Sequence, residues 1–153
     1  MALNVAQFVN MFLVALFVGN EVGSRLVIHP SLDSLSLEAD LQAEQALSRN
    51  FGRIMPAVMI ATIASGVVVA ILAHGHGSAF WLTVVGVACL AAMLGVTLTG
   101  NVPINDRVLE LRPDTPVETW RSLRRRWNRL HSVRMVLDVA ALTLFILAVM
   151  VSR

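Results

Sequence analysis

Residues 54–73 read IMPAVMIATIASGVVVAILA and residues 80–99 read FWLTVVGVACLAAMLGVTLT. Neither holds a charged side chain, and each matches the roughly 20 helical residues that cross a hydrocarbon core about 30 Å thick. Outward from this pair, Val5–Ile28 and Val133–Val151 are of similar length and mostly apolar, but the first carries Asn20, Glu21 and Arg25 and the last carries Arg134 and Asp138. Overall composition points the same way: 56% of the 153 residues are hydrophobic and 14% charged, against roughly 45–50% and about 25% in soluble domains. A chain of this size has too little interior to hide that much apolar surface from water. The sequence therefore predicts an all-α integral membrane four-helix bundle, a single domain over residues 1–153, with spans near 5–28, 54–73, 80–99 and 133–151. The first span does not read as a cleaved signal peptide, because it lacks a basic leader and a small-residue cleavage site.

The connections are unequal. His74–Ala79 joins the second and third spans, whereas Pro30–Arg53 and Gly100–Ser132 are long. In the second long connection, Thr115, Pro116 and Glu118 read as a capping box with proline at the first helical position. Beyond it, Trp120, Leu123, Trp127 and Leu130 form one stripe, with Arg121, Arg124, Arg125, Arg126 and Arg129 mostly elsewhere. This predicts an amphipathic helix at the lipid interface, able to run on into the fourth span. A weaker stripe, Leu37, Leu41, Leu47 and Phe51 with acidic residues between, suggests the same for the first connection.

All twelve basic residues are arginines; eleven lie in or beside the long connections and only Arg153 lies opposite. The positive-inside rule then predicts a multi-pass protein of the cell membrane, with the long connections cytoplasmic and both termini outside. The net charge of +2 describes orientation in lipid and gives no nucleic-acid surface. The single cysteine, Cys89, excludes an intrachain disulfide and reads as a small packed residue. Gly19 and Gly23 are spaced for close helix approach, either within the bundle or against a second copy of the chain; Ala61, Ser65 and Gly66, and Ala88, Ala91, Ala92 and Gly95, suit bundle contacts.

Ionisable residues within spans are costly, so each asks for a partner or a task. Glu21 lies about two turns inside its span, with Asn20 beside it and Arg25 four residues on; an intrahelical ion pair and a functional carboxylate both fit. His131, Arg134 and Asp138 are spaced three and four apart and share one helical face. They read either as a local Arg134–Asp138 pair or as a polar pocket facing Glu21 at the same membrane side. Asn101-Val-Pro-Ile-Asn105 follows the third span; Pro103 predicts a break or kink there, and the two asparagines either cap freed backbone groups or point into that pocket. His74-Gly-His76 supplies too few ligands for a metal site. His29, before Pro30, reads as interfacial.

Three of these features together resemble the anthrone oxygenase family of small four-span membrane proteins: the glycine- and polar-bearing first span with His29-Pro30, the Asn101–Asn105 segment, and Trp120 and Trp127-Asn128 leading to His131 and Arg134. The likeness spans the whole chain in layout. It implies an oxygen-dependent oxidoreductase that turns a lipophilic phenolic or polycyclic substrate, an anthrone, into an anthraquinone, with dioxygen and membrane lipid as its other partners. Such chemistry needs a base, donors for an oxyanion and a greasy cavity open to lipid. Glu21 or His131 would serve as base, with Arg134, Asn101 and Asn105 as donors and Asp138 orienting Arg134 or His131. Asn20 and Trp127 would help bind the substrate. Either no cofactor is required or one non-haem metal ion is held by Glu21, His131 and Asp138, a donor set that suits iron, manganese or zinc. Two other classes fit the same residues: a non-catalytic binding or scaffold subunit with structural ion pairs, and a proton-coupled transporter, for which four spans without a repeat are few.

Overall fold

A computed structural model describes residues 1–152 of the chain. Arg153, the arginine assigned to the opposite end, lies outside the described residues. Four helices run Ala2–Leu32 (α1), Leu37–Leu72 (α2), Ser78–Glu110 (α3) and Val117–Val151 (α4), each long and apolar enough to cross a membrane, and no strand is present among the described residues. The predicted all-α bundle is what forms. The spans are shorter than the helices that contain them: at about 1.5 Å per residue α2 extends about 54 Å, well beyond a hydrocarbon core.

Each long connection is therefore mostly helix continuing out of a span, and the true links are residues 33–36, 73–77 and 111–116. Links this short make sequential helices antiparallel neighbours. α1 packs on α2 and α4, and α3 on α2 and most extensively on α4, which closes the ring. In the turn between α2 and α3, Gly75 and Gly77 hold φ of 88° and 54°, a region costly for any residue with a Cβ. The capping box does not form. α4 starts at Val117 without a side-chain cap, and Thr115 Oγ1 instead accepts the Arg112 amide at 3.0 Å in the preceding turn. Ser36 caps α2, accepting the Ala39 amide at 3.4 Å.

Prolines mark where the helices loosen. Pro30 and Pro103 each follow a π-helical turn, Ser24–Ile28 and Thr97–Asn101. The predicted break at Pro103 is thus a widened turn in a continuous helix. A proline ring collides with the carbonyl four residues back and offers it no N–H, and the wider turn absorbs both effects. Pro56 lies inside α2 at the equivalent stage of its span.

Side chains sort as lipid demands. Phe8, Ile60, Ile71, Trp81 and Met150 are each at least 65% exposed and face outward, a surface that water would not tolerate. Inside, Val14, Phe17, Met59, Leu90, Met93, Ala141 and Phe145 form the bundle core. Its closest approaches are at Gly66 and Gly86, where an added Cβ would lie 3.3 Å and 2.8 Å from the Phe145 ring. Gly19, Gly23 and Gly95 have nothing within 4 Å of that position, so the spacing that suggested tight contact is not used within the bundle. A second core lies under the arginine-rich end. The Trp120 stripe packs there on Leu41, Ile104 and Val108, with Leu123, Trp127 and Leu130 beside it. That stripe was expected to face lipid headgroups; α2 and α3 reach far enough past the membrane to cover it.

Candidate functional site

Once per turn, α4 places a polar or aromatic side chain inward. Trp120, Arg124, Trp127, His131, Arg134 and Asp138 follow one another at spacings of four and three, a single helical face. Trp120, His131, Arg134 and Asp138 are all buried. Opposite, the inner face of α1 brings Glu21, 3% exposed, to the same level.

Neither expected local pair forms; the contacts of these residues run between helices. Arg134 Nη2 donates to Glu21 Oε1 at 2.8 Å, between helices. Arg25 does not pair with Glu21; its Nε donates to Ser132 Oγ at 3.2 Å. His131 Nε2 lies 3.1 Å from the Glu21 main-chain carbonyl. A carbonyl only accepts, so Nε2 carries the proton and, in the neutral ring, Nδ1 keeps a free lone pair. That Nδ1 faces Glu21 Oε2 at 3.4 Å. The His131 ring stacks on Trp127 with centroids 4.6 Å apart, and the Trp127 indole donates to Asn105 Oδ1 at 2.9 Å.

These groups border a cavity of about 160 Å³. Of the residues singled out from the sequence, Glu21, His131, Arg134, Asn20, Asn101, Asn105 and Trp127 all line it. Asp138 does not; it is fully buried deeper in the bundle, and neither carboxylate oxygen has a hydrogen-bond partner among the described residues. The orienting role expected of it, toward Arg134 or His131, has no hydrogen bond behind it. Glu21 holds Arg134 instead. Among the described residues no three His, Cys, Asp or Glu side chains are arranged to hold a metal ion; of the three candidate ligands, Glu21 and His131 approach each other and Asp138 stands apart.

Several buried polar atoms of residues that line this space have no hydrogen-bond partner among the described residues: Glu21 Oε2, His131 Nδ1, Arg134 Nε and both amide atoms of Asn101. Asn101, 1% exposed, is aimed by the π turn that ends at it. The other π turn contributes Ser24 to the lining, and Thr97 and Leu98 come from the first. The remaining walls are apolar, chiefly Leu47, Phe51, Met55, Met59 and Leu94.

The sequence reading missed a second polar group beside the first. His29, expected at the interface, is 5% exposed; its Nδ1 lies 2.8 Å from Glu44 Oε1, and its ring sits 4.4 Å from Trp127 and 5.9 Å from His131, centroid to centroid. Arg124 bridges Glu44, Asp40 and Asp33 and donates to the His29 carbonyl at 3.0 Å, with its guanidinium over the Trp120 ring. Asp40 also accepts the Trp120 indole at 2.9 Å. Two signals were present in the sequence. Leu37, Leu41, Glu44, Leu47 and Phe51 repeat at fours and threes, so Glu44 lies on the apolar stripe itself. Extending the His131–Asp138 face backward by the same rule reaches Arg124.

A family model described as anthrone oxygenase matches residues 44–144, the greater part of the chain. The matched stretch contains Glu44, Asn101, Asn105, Trp127, His131, Arg134 and Asp138, and begins after Asn20, Glu21 and His29. No curated protein and no solved structure matches the chain.

Proposed function

Because the chain belongs to the anthrone oxygenase family, we propose that it is an oxygen-dependent oxidoreductase acting on a lipophilic phenolic or polycyclic substrate, with Glu21, Asn101, His131 and Arg134 as its working groups. One observation carries the reading. His131 Nδ1, a carboxylate oxygen of Glu21 and the Asn101 amide, all without a hydrogen-bond partner among the described residues, belong to side chains in the wall of a largely apolar cavity. Buried polar atoms are almost always hydrogen-bonded, and each exception calls for an explanation. A substrate carrying one polar edge on an apolar ring system would satisfy all of them.

The chemistry follows from the substrate class and is balanced without an external reductant. The base, His131 Nδ1 or Glu21 Oε2, takes one proton from the methylene carbon of an anthrone, and the electron pair delocalises onto the ring oxygen. Arg134 Nε and Asn101 Nδ2 donate to that oxyanion. The carbanion adds dioxygen, forming a C–O bond, and the resulting peroxide is protonated by the acid just formed. Removal of the second methylene proton then opens the O–O bond. The carbon becomes a ketone, and hydroxide leaves and takes up a proton as water. Dioxygen is the oxidant: one oxygen atom ends in the anthraquinone and the other in water. Placing the base and the oxyanion donors in a water-poor cavity favours the deprotonation. Glu21 holds Arg134 in place.

The test is dioxygen uptake and anthraquinone formation by membranes containing the chain, measured against membranes lacking it. Glu21→Gln and His131→Ala are expected to lower turnover per unit of folded protein by about a hundredfold or more. Parental turnover in both variants would remove these residues from the reaction.

A further inference from the structure

The exposure of the cavity lining is one-sided. All of its α1 and α4 lining residues are buried or half-buried. Its exposed lining residues are Gly52 and Pro56 on α2 and Leu98 and Val102 on α3, every one uncharged and apolar, with Leu98 59% exposed. The cavity therefore opens sideways, between α2 and α3. Gly52 and Pro56 adjoin or belong to the second apolar span and Leu98 to the third, so this mouth faces acyl chains at the edge of the hydrocarbon layer. Two features keep it open. Gly52 contributes no side chain, and nothing lies within 4 Å of where a Cβ would stand. Pro56 removes the N–H that would bond the Gly52 carbonyl. Across the gap, the π turn Thr97–Asn101 widens α3 at the same level.

We infer that the slot between Gly52 and Pro56 on α2 and Leu98 and Val102 on α3 is a lateral portal through which a planar, bilayer-dissolved substrate enters from the lipid, polar edge first. This rests on the functional reading above and deepens it. The substrate class becomes an amphipathic polycycle that partitions into the membrane, its oxygen led toward Arg134 and Asn101 and its methylene toward His131 and Glu21, while one outer ring trails in the portal. Water-soluble analogues carrying a charge on the trailing edge would have to bring that charge into the acyl region, at a cost of a few kcal/mol on insertion scales.

The experiment uses the full chain in liposomes, with anthrone as probe. Gly52→Trp places an indole in the portal from a position where added atoms meet no neighbour, and Ile60→Trp places one on the outward face of α2 away from it. The expected result is a fall of about tenfold in kcat/KM for Gly52→Trp with parental values for Ile60→Trp. Equal and parental values in both variants would overturn the portal while leaving the oxidation itself standing. A second readout does not need turnover: in a Gly52→Cys variant, anthrone should slow alkylation by N-ethylmaleimide severalfold, whereas Ile60→Cys should be unaffected. Should the parent protein fail to oxidise anthrone, the functional reading falls and this protection decides the portal alone: selective slowing at position 52 supports it, and equal rates with and without anthrone reject it.

Discussion

Arg134 is the residue on which the inner site turns. It neutralises Glu21 across the α1–α4 interface at 2.8 Å, in surroundings that water does not reach. Removing one partner of a buried pair leaves an uncompensated charge, at about 3–5 kcal/mol, whereas removing both is far milder. Arg134→Met is therefore expected to be strongly destabilising in detergent, and Glu21→Gln combined with Arg134→Met to recover most of the loss. Unfolding followed by loss of helicity under denaturing detergent measures both; additive losses would show that the pair does not act as a unit. Asp40, in the polar stretch before the second span, makes a different case. Burial pushes its carboxyl above the ordinary carboxylate value, with the Trp120 indole and the Arg124 guanidinium pulling the other way. The folded state then holds that proton more tightly than the unfolded chain does, so this group by itself weakens the fold as pH rises from its ordinary value through its raised one. Asp40→Asn keeps an acceptor for the indole and should make the pH dependence of Tm less negative as pH rises above the ordinary carboxylate range; unchanged dependence would exclude Asp40 as its source.

Among the elements, α3 against α4 is the tightest junction because Gly86 lets the Phe145 ring lie where a Cβ would stand, 2.8 Å away. Phe145 is only 2% exposed and has nowhere to move. Gly86→Ala should cost about 1–3 kcal/mol through overpacking, while Gly19→Ala and Gly23→Ala, with open space around them, should be neutral or slightly stabilising through helix propensity. Equal losses at all three positions would mean that a partner helix outside this chain covers Gly19 and Gly23. The two π turns belong to the same scale. Each precedes a proline, and each ends beside a residue that faces the cavity, so the backbone irregularity and the site have one origin. Sequence showed the prolines but not their consequence. A helix broken at Pro103 and a helix widened before it have the same composition, and packing of Gly100 against Leu130 holds the second arrangement in place.

At the scale of the whole molecule, the arginine-bearing extensions of α2, α3 and α4 gather at one end around the second core. The proposed orientation puts that end in the cytoplasm. In intact cells, a membrane-impermeant maleimide should label His76→Cys and leave Ser34→Cys and Asp114→Cys unmodified until the membrane is opened; the opposite pattern would invert the topology. Four helices, their approximate spans and the end at which polar residues collect could be read from the chain, because length and apolarity in lipid leave little choice. Glu21, Asn101, Asn105, His131 and Arg134 could be read as members of one pocket, since a costly side chain in a span must face its neighbours. Facing is all that the pattern determines. The tertiary structure decided the partners: Glu21 with Arg134 rather than Arg25, His29 with Glu44 inside the protein, Arg124 among carboxylates, Asp138 outside the cavity. Helical periodicity gives a direction for each side chain but not its depth, and which polar atoms meet depends on how far the helices extend and on the axial offset at which glycine and phenylalanine lock them together.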